Sequence, residues 1–240
     1  MRLLPHYLAQ RCPDLPHHYR TFHQRRVLLE QLAELKFRLS DNSLILLPEY
    51  RARLDLLTCL GYIDQSGNVT VKGRVACELN TVHELITTEL LFDNAFGECE
   101  PAEIVALLST MVFQERHSDE PDLAELPRIS QGWKRIKQVA THLDNILQEH
   151  RLEGTLVESL RPALIPVVYY WARGIPFTEL TNLTDVLEGS IVRTIVRLDE
   201  TCRELRGAAK IMGDTLLLRK MEQASMLIKR DICFASSLYL

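Results

Sequence analysis

Apolar residues in the C-terminal third of the chain recur with the period of a helix that has one wet side. At about 100° per residue, Ile191, Ile195, Leu198, Cys202, Leu205 and Ala209 share one stripe of residues 188–210. Arg193, Arg197, Glu200 and Glu204 gather on the opposite side. The pattern predicts an amphipathic helix buried along its underside. Taken alone, a polar face of this kind is a solvated surface laced with i,i+3 and i,i+4 ion pairs, each worth a few tenths of a kcal/mol.

The same periodicity predicts helices over most of the remaining chain. Leu28, Leu32, Leu35 and Leu39 form an apolar ladder within residues 19–39. This helix either leaves its apolar stripe uncovered or packs it on the chain's own core. A second helix, 49–60, ends at Gly61 as a C-cap. Further helices are expected near 74–79, 83–96, 101–116, 129–150, 155–173 and 216–234, with Pro101 in a first turn and Pro162 and Pro166 as kinks. Gly174 should end the 155–173 helix, and residues 177–183 read as a short helix or turn. Asp185 and Glu188, three apart, predict a capping box for the 188–210 helix, which Gly213 should close.

Only residues 62–72 read differently. Tyr62-Ile63-Asp64 and Val69-Thr70-Val71 flank a turn containing Gly67, which predicts one small β hairpin. The fold class is therefore all-α, a multi-helix bundle with that single hairpin. Helix, hairpin and helix over 49–79 have the size of a winged-helix fragment, which would suggest a groove reader. Since the 74–79 helix should turn only Arg74 and Glu78 outward, a structural subdomain is the better reading.

An apolar content of 46% in 240 residues suits a globular chain with a real core. The net charge of −4 excludes a chain that grips nucleic acid by bulk charge, so any such contact must be local. Residues 1–40 are the basic exception, with seven Lys/Arg against three Asp/Glu. No apolar run is long enough to span a membrane, and Pro5 and His6 interrupt any signal peptide, so no membrane partner is expected. Six cysteines without C-x-x-C pairs read as reduced, mostly buried intracellular thiols. Cys12, His17, His18 and His23 lie close in sequence but match no zinc spacing, so no metal is expected there.

Several segments then read together. They are Val167-Val168-Tyr169-Tyr170-Trp171-Ala172-Arg173-Gly174 with Pro176-Phe177, then Leu187-Glu188-Gly189-Ser190-Ile191-Val192-Arg193, and Ile228-Lys229-Arg230-Asp231-Ile232 with the residues that follow to Leu240. Upstream stand Leu46-Leu47-Pro48-Glu49-Tyr50, Leu60-Gly61-Tyr62-Ile63-Asp64, Lys72-Gly73-Arg74-Val75-Ala76, Glu89-Leu90-Leu91-Phe92-Asp93-Asn94 and Ala102-Glu103-Ile104-Val105. From about His18 to Leu240, the chain resembles the C-terminal helical (DSHCT) domain of superkiller-type DExH-box RNA helicases, which thread RNA into the exosome. Trp171-Ala172-Arg173-Gly174, Phe92-Asp93-Asn94 and Leu198-Asp199-Glu200 look closer to the cytoplasmic superkiller helicase than to its nuclear paralogue. Cys233 departs from the family's usual valine, and Tyr170 from an acidic or small polar residue.

The resemblance implies a division into residues 1–43, a linker with an arch or stalk-remnant helix, and residues 44–240, the DSHCT domain. It implies that the 188–210 helix is a ratchet helix lying across single-stranded RNA as it leaves two RecA-like motor domains. Arg197 and Glu200 match the family's base-contacting positions, and Arg193 is a plausible backbone contact. A guanidinium can stack on any base and bond phosphate, while a carboxylate accepts from base amino groups. Their spacing would also let Glu200 orient Arg197. Superkiller-complex subunits and the RNA exosome would be partners through the full protein, in the cytoplasm or, for the paralogue, the nucleus. ATP and Mg belong to the parent motor. None of this chain's glycines precedes a lysine, so it carries no G-x-x-x-x-G-K-[ST] phosphate loop and no cofactor is expected in it. Asp119-Glu120-Pro121-Asp122 fits a D-E-x-D pattern but lacks a preceding apolar strand and reads as loop. The alternative function is a helical protein–protein adaptor without direct RNA contact.

Overall fold

Helix after helix, with no β-strand among the described residues, makes up the chain. The computed structural model describes residues 13–38, 44, 46–115, 121–230 and 233–234. Cys12, Leu39, the Asp119-Glu120 pair and most of the C-terminal motif after Arg230 lie outside them. The chain divides into two compact units, Met1–Arg51 and Ala52–Leu240. In the first, α1 (Leu15–Arg38) buries none of its residues, and exposed ion pairs join Arg26 to Glu30 and Arg38 to Glu34. The second helix, α2 (Leu47–Cys59), is followed by Gly61 at φ +76°, the left-handed exit expected of a helix-terminating glycine.

The second unit is built around α5 (Pro101–Val112). Its residues Ile104, Val105, Ala106, Leu107 and Leu108 are all buried, so the helix is apolar on every side, as a central helix must be. Pro101 starts it without wasting an N–H, and the Glu103 carboxylate accepts from the Glu100 N–H at 2.7 Å. Around it pack α6 (Pro127–Glu149), α8 (Ile165–Ala172), α10 (Glu188–Met212) and α11 (Thr215–Ile228). The smaller α3 (Val71–Cys77) packs on α10 and on α4 (Glu84–Phe92), which in turn meets α6. The outlying α7 (Leu156–Ser159) leans on α6 and α9 (Phe177–Leu180) on α8.

The expected hairpin does not form. One antiparallel bridge, Ile63 to Val69, is all that remains of it. The Asp64 carboxylate folds the turn onto itself by accepting from the N–H groups of Ser66 and Asn68, both at 2.8 Å. Thr70 then caps α3, taking the Gly73 N–H on its hydroxyl, so the chain enters a helix before a second strand can extend. The helix consequently begins at Val71 rather than near Arg74, and Gly73 lies inside it. A Cβ there would stand 2.3 Å from the Tyr62 carbonyl oxygen, which explains the glycine. Close packing of α3 on α10 accords with a structural subdomain rather than a groove reader.

The 155–173 helix is broken, not kinked. Leu160 is extended, the Arg161 N–H donates to the Thr110 carbonyl on α5 at 2.8 Å, and Pro162–Leu164 is a single 3-10 turn before α8 begins. Each proline thus starts a new segment, where its missing N–H costs nothing.

Cysteine burial is mixed. Cys202 and Cys233 are buried and Cys99 half-buried, but Cys59 and Cys77 are exposed, so the expectation of mostly buried thiols is corrected. Burial, with the Asp199 carboxylate adding to it, pushes the Cys202 thiol up to about 12. Alkylation of the folded chain at neutral pH should therefore modify Cys59 and Cys77 and spare Cys202. Peptide mass mapping checks this, and rapid labelling of Cys202 would contradict it.

Candidate nucleic-acid interface

The 25 residues of α10 have a fully buried underside: Ile191, Ile195, Leu198, Cys202 and Leu205 are 0% exposed. Its start departs from expectation. The helix begins at Glu188 with Leu187 as N-cap and no side-chain cap. Thr184 instead spends its hydroxyl on the Val186 N–H at 3.3 Å, and no Asp185–Glu188 box closes. At the far end, Gly213 is left-handed at φ +76° and Asp214 caps α11 through the Leu216 and Leu217 N–H groups. This two-residue connection folds α11 back along α10 as a helical hairpin.

The polar face divides into members without a partner in the protein and members that fasten the fold. Glu200 is exposed and Arg197 half-buried at the edge of the helix. Among the described residues, neither side chain has a hydrogen-bond or ion-pair partner. The expected Glu200–Arg197 contact is thus not made. Between Arg193 and Glu200 sits Val196, 37% exposed, so the ridge alternates cation, aliphatic surface and carboxylate over about 10 Å.

Glu204 belongs to the fold. Its carboxylate accepts from the N–H groups of Asn80 and Thr81 at 2.9 and 3.0 Å and from the Thr81 hydroxyl at 2.8 Å, tying α10 to the α3–α4 turn. Arg193 is engaged as well. Its Nε donates to the Gly189 carbonyl at 3.2 Å and its Nη2 to Ser190 Oγ at 3.0 Å, with Glu115 Oε1 3.5 Å away. Periodicity could not find Glu115, 75 residues upstream of Ser190. Arg203 reaches the buried Asp199 carboxylate at 3.7 Å. Among the described residues Arg197, unlike Arg193 and Arg203, therefore makes no hydrogen bond or ion pair with the protein itself. Among the described residues, no group of three or more His, Cys, Asp or Glu could hold a metal ion. No helix among them is long and apolar enough to cross a membrane.

Comparison with known families decides the lineage. Residues 66–235 match the DSHCT (NUC185) domain. The chain belongs to the DSHCT family. This DSHCT chain is 46% identical over 231 residues to superkiller complex protein 2 of Mus musculus, covering 95% of the chain and 18% of that protein. It is 44% identical over 232 residues to DExH-box ATP-dependent RNA helicase DExH11 of Arabidopsis thaliana, covering 95% and 17%. Exosome RNA helicase MTR4 of Homo sapiens matches at 39% over 195 residues, covering 80% and 18%. The chain thus spans under a fifth of the length of these relatives. Its DSHCT region contains all of α10, with Arg193, Arg197 and Glu200.

Proposed function

We propose that this chain is the RNA-channel domain of an ATP-dependent 3'–5' RNA helicase that feeds the exosome during RNA decay, with α10 as its ratchet helix. The observation that carries this reading is an unpaired guanidinium, Arg197, beside an exposed carboxylate, Glu200, on a helix whose underside is fully buried. A stacking and phosphate-bonding plane next to an acceptor gives sequence-tolerant contact with single-stranded RNA. RecA-like motor domains with their ATP and Mg would supply the power stroke from elsewhere in the full protein. The superkiller complex and exosome are its proposed assemblies, in the cytoplasm, with a nuclear site for an MTR4-like role. The greater identity to superkiller relatives supports that order.

The test joins the domain to its motor and changes Arg197 to Ala. Losing one base stack, about 1–3 kcal/mol, should weaken RNA binding about five- to 150-fold and slow unwinding, while RNA-independent ATPase survives. Unwinding at the original rate would remove the assignment.

A second reading, a protein–protein adaptor, draws on the exposed Tyr19, Phe22, Leu28, Leu32 and Leu35 of α1. Filter binding against salt separates the two. Phosphate contacts make affinity fall steeply as salt rises, whereas a pure adaptor retains no RNA at any salt.

A further inference from the structure

The N-terminal turns of α10 hold a constellation that the stack at Arg197 does not use. Glu115, just past the end of α5, meets Ser190 and Arg193 together. The Ser190 hydroxyl donates to Glu115 Oε1, and Arg193 Nη2 lies 3.5 Å from that same oxygen. Ser190 is itself buried, so its hydroxyl fixes where the carboxylate sits. The guanidinium is thereby presented to an anionic oxygen much as it would be to a phosphate oxygen. Yet the side chains of Arg193 and Glu115 are 78% and 49% exposed, and ion pairs that wet contribute little stability. A carboxylate held in place by one partner, and only loosely paired with the other, is easily exchanged.

Resting on the RNA reading above, we propose that Glu115 is a built-in stand-in for an RNA phosphate. It occupies Arg193 while the strand is absent and yields it to a backbone phosphate when the strand arrives. Glu115 is thus a positioning residue: with Ser190 it holds the Arg193 guanidinium at the start of the ridge and makes that grip brief. The ridge then has two kinds of contact. Arg197 is always open, and Arg193 must be won from Glu115 at each nucleotide step. A strand in transit needs contacts that release, and this competition supplies release without lengthening the channel.

The test is a fluorescence-anisotropy titration of this chain with labelled oligouridine at low and at physiological salt. Glu115→Gln keeps an acceptor for Ser190 but loses the charge, so thermal melting should be unchanged. The variant should bind about two- to fivefold tighter at low salt. Its log–log salt slope should steepen by up to about 0.7, the share of one further phosphate contact. In an Arg193→Ala background both gains should disappear. Equal affinity of Glu115→Gln and the unaltered chain would overturn the proposal while leaving the RNA reading intact. A gain that persists without Arg193 would also overturn it, because the effect would then be general charge. Failure of the unaltered chain to bind oligouridine at low salt would remove the RNA reading and this inference with it.

Discussion

Replacing Trp171 by Ala should destabilise the Ala52–Leu240 unit by about 3–5 kcal/mol. The indole is 0% exposed, and three separate interactions converge on it. Its Nε1–H donates to the Ile228 carbonyl at 2.9 Å, closing the last turn of α11 against α8. The Arg230 guanidinium lies over the ring, 3.7 Å from its centroid, and Nη2 donates to the Trp171 and Ile175 carbonyls at 2.8 and 2.6 Å. Phe177 meets the ring edge-on at 6.0 Å. Alanine removes the filling, the donor and the cation's platform together. For a unit of this size, the melting temperature should fall by about 6–20 °C. Trp171→Phe keeps a ring beneath Arg230 and loses the hydrogen bond, so it should cost about 1–3 kcal/mol. Thermal melts of the two variants check the order. A Trp171→Ala melt within a degree or two of the unaltered chain would show that α11 is held by something else.

The same residues explain how much of the molecule could be read from its sequence. The stripe of α10 was legible because three helices bury its underside along the whole length, leaving an uninterrupted period. The last helix was read as running to Phe234, but α11 stops at Ile228, where Arg230 is drawn out to the backbone around Trp171. That pull comes from 59 residues away and leaves no local pattern. Pro162 and Pro166 signalled a disturbance, yet a break rather than a kink depends on the long-range bond from Arg161 to Thr110. Over residues 62–72 the two short segments beside Gly67 suggest strands, whereas the outcome depends on where the Asp64 and Thr70 side chains bond, which spacing alone does not show. At the candidate interface, spacing identified Arg193, Arg197 and Glu200 as one face. It could not separate Arg197, which is unpaired, from Arg193 and Glu204, whose partners lie far upstream in the chain.

Asp199→Asn is expected to cost about 3 kcal/mol at neutral pH. Asp199 lies on the α11 side of α10, and its carboxylate is only 8% exposed. It accepts from the Ser225 hydroxyl and from Lys229 Nζ at 3.1 Å, with Arg203 at 3.7 Å. Burial alone would favour the neutral acid. The Ser225 and Lys229 hydrogen bonds, with the charges of Lys229 and Arg203, outweigh it and hold the carboxyl below the usual aspartate range. A carboxyl whose pKa is lowered by folding adds stability above its unfolded value, about 3.9, and loses that contribution as pH falls through the folded value. The cost of Asp199→Asn should therefore be constant from neutral pH down to about 5 and shrink below about 4. Urea melts of both proteins at neutral pH and near pH 3 measure this. A difference as large in acid as at neutrality would mean that the packing of residue 199, rather than its charge, fastens α11 to the back of the ridge that carries Arg197.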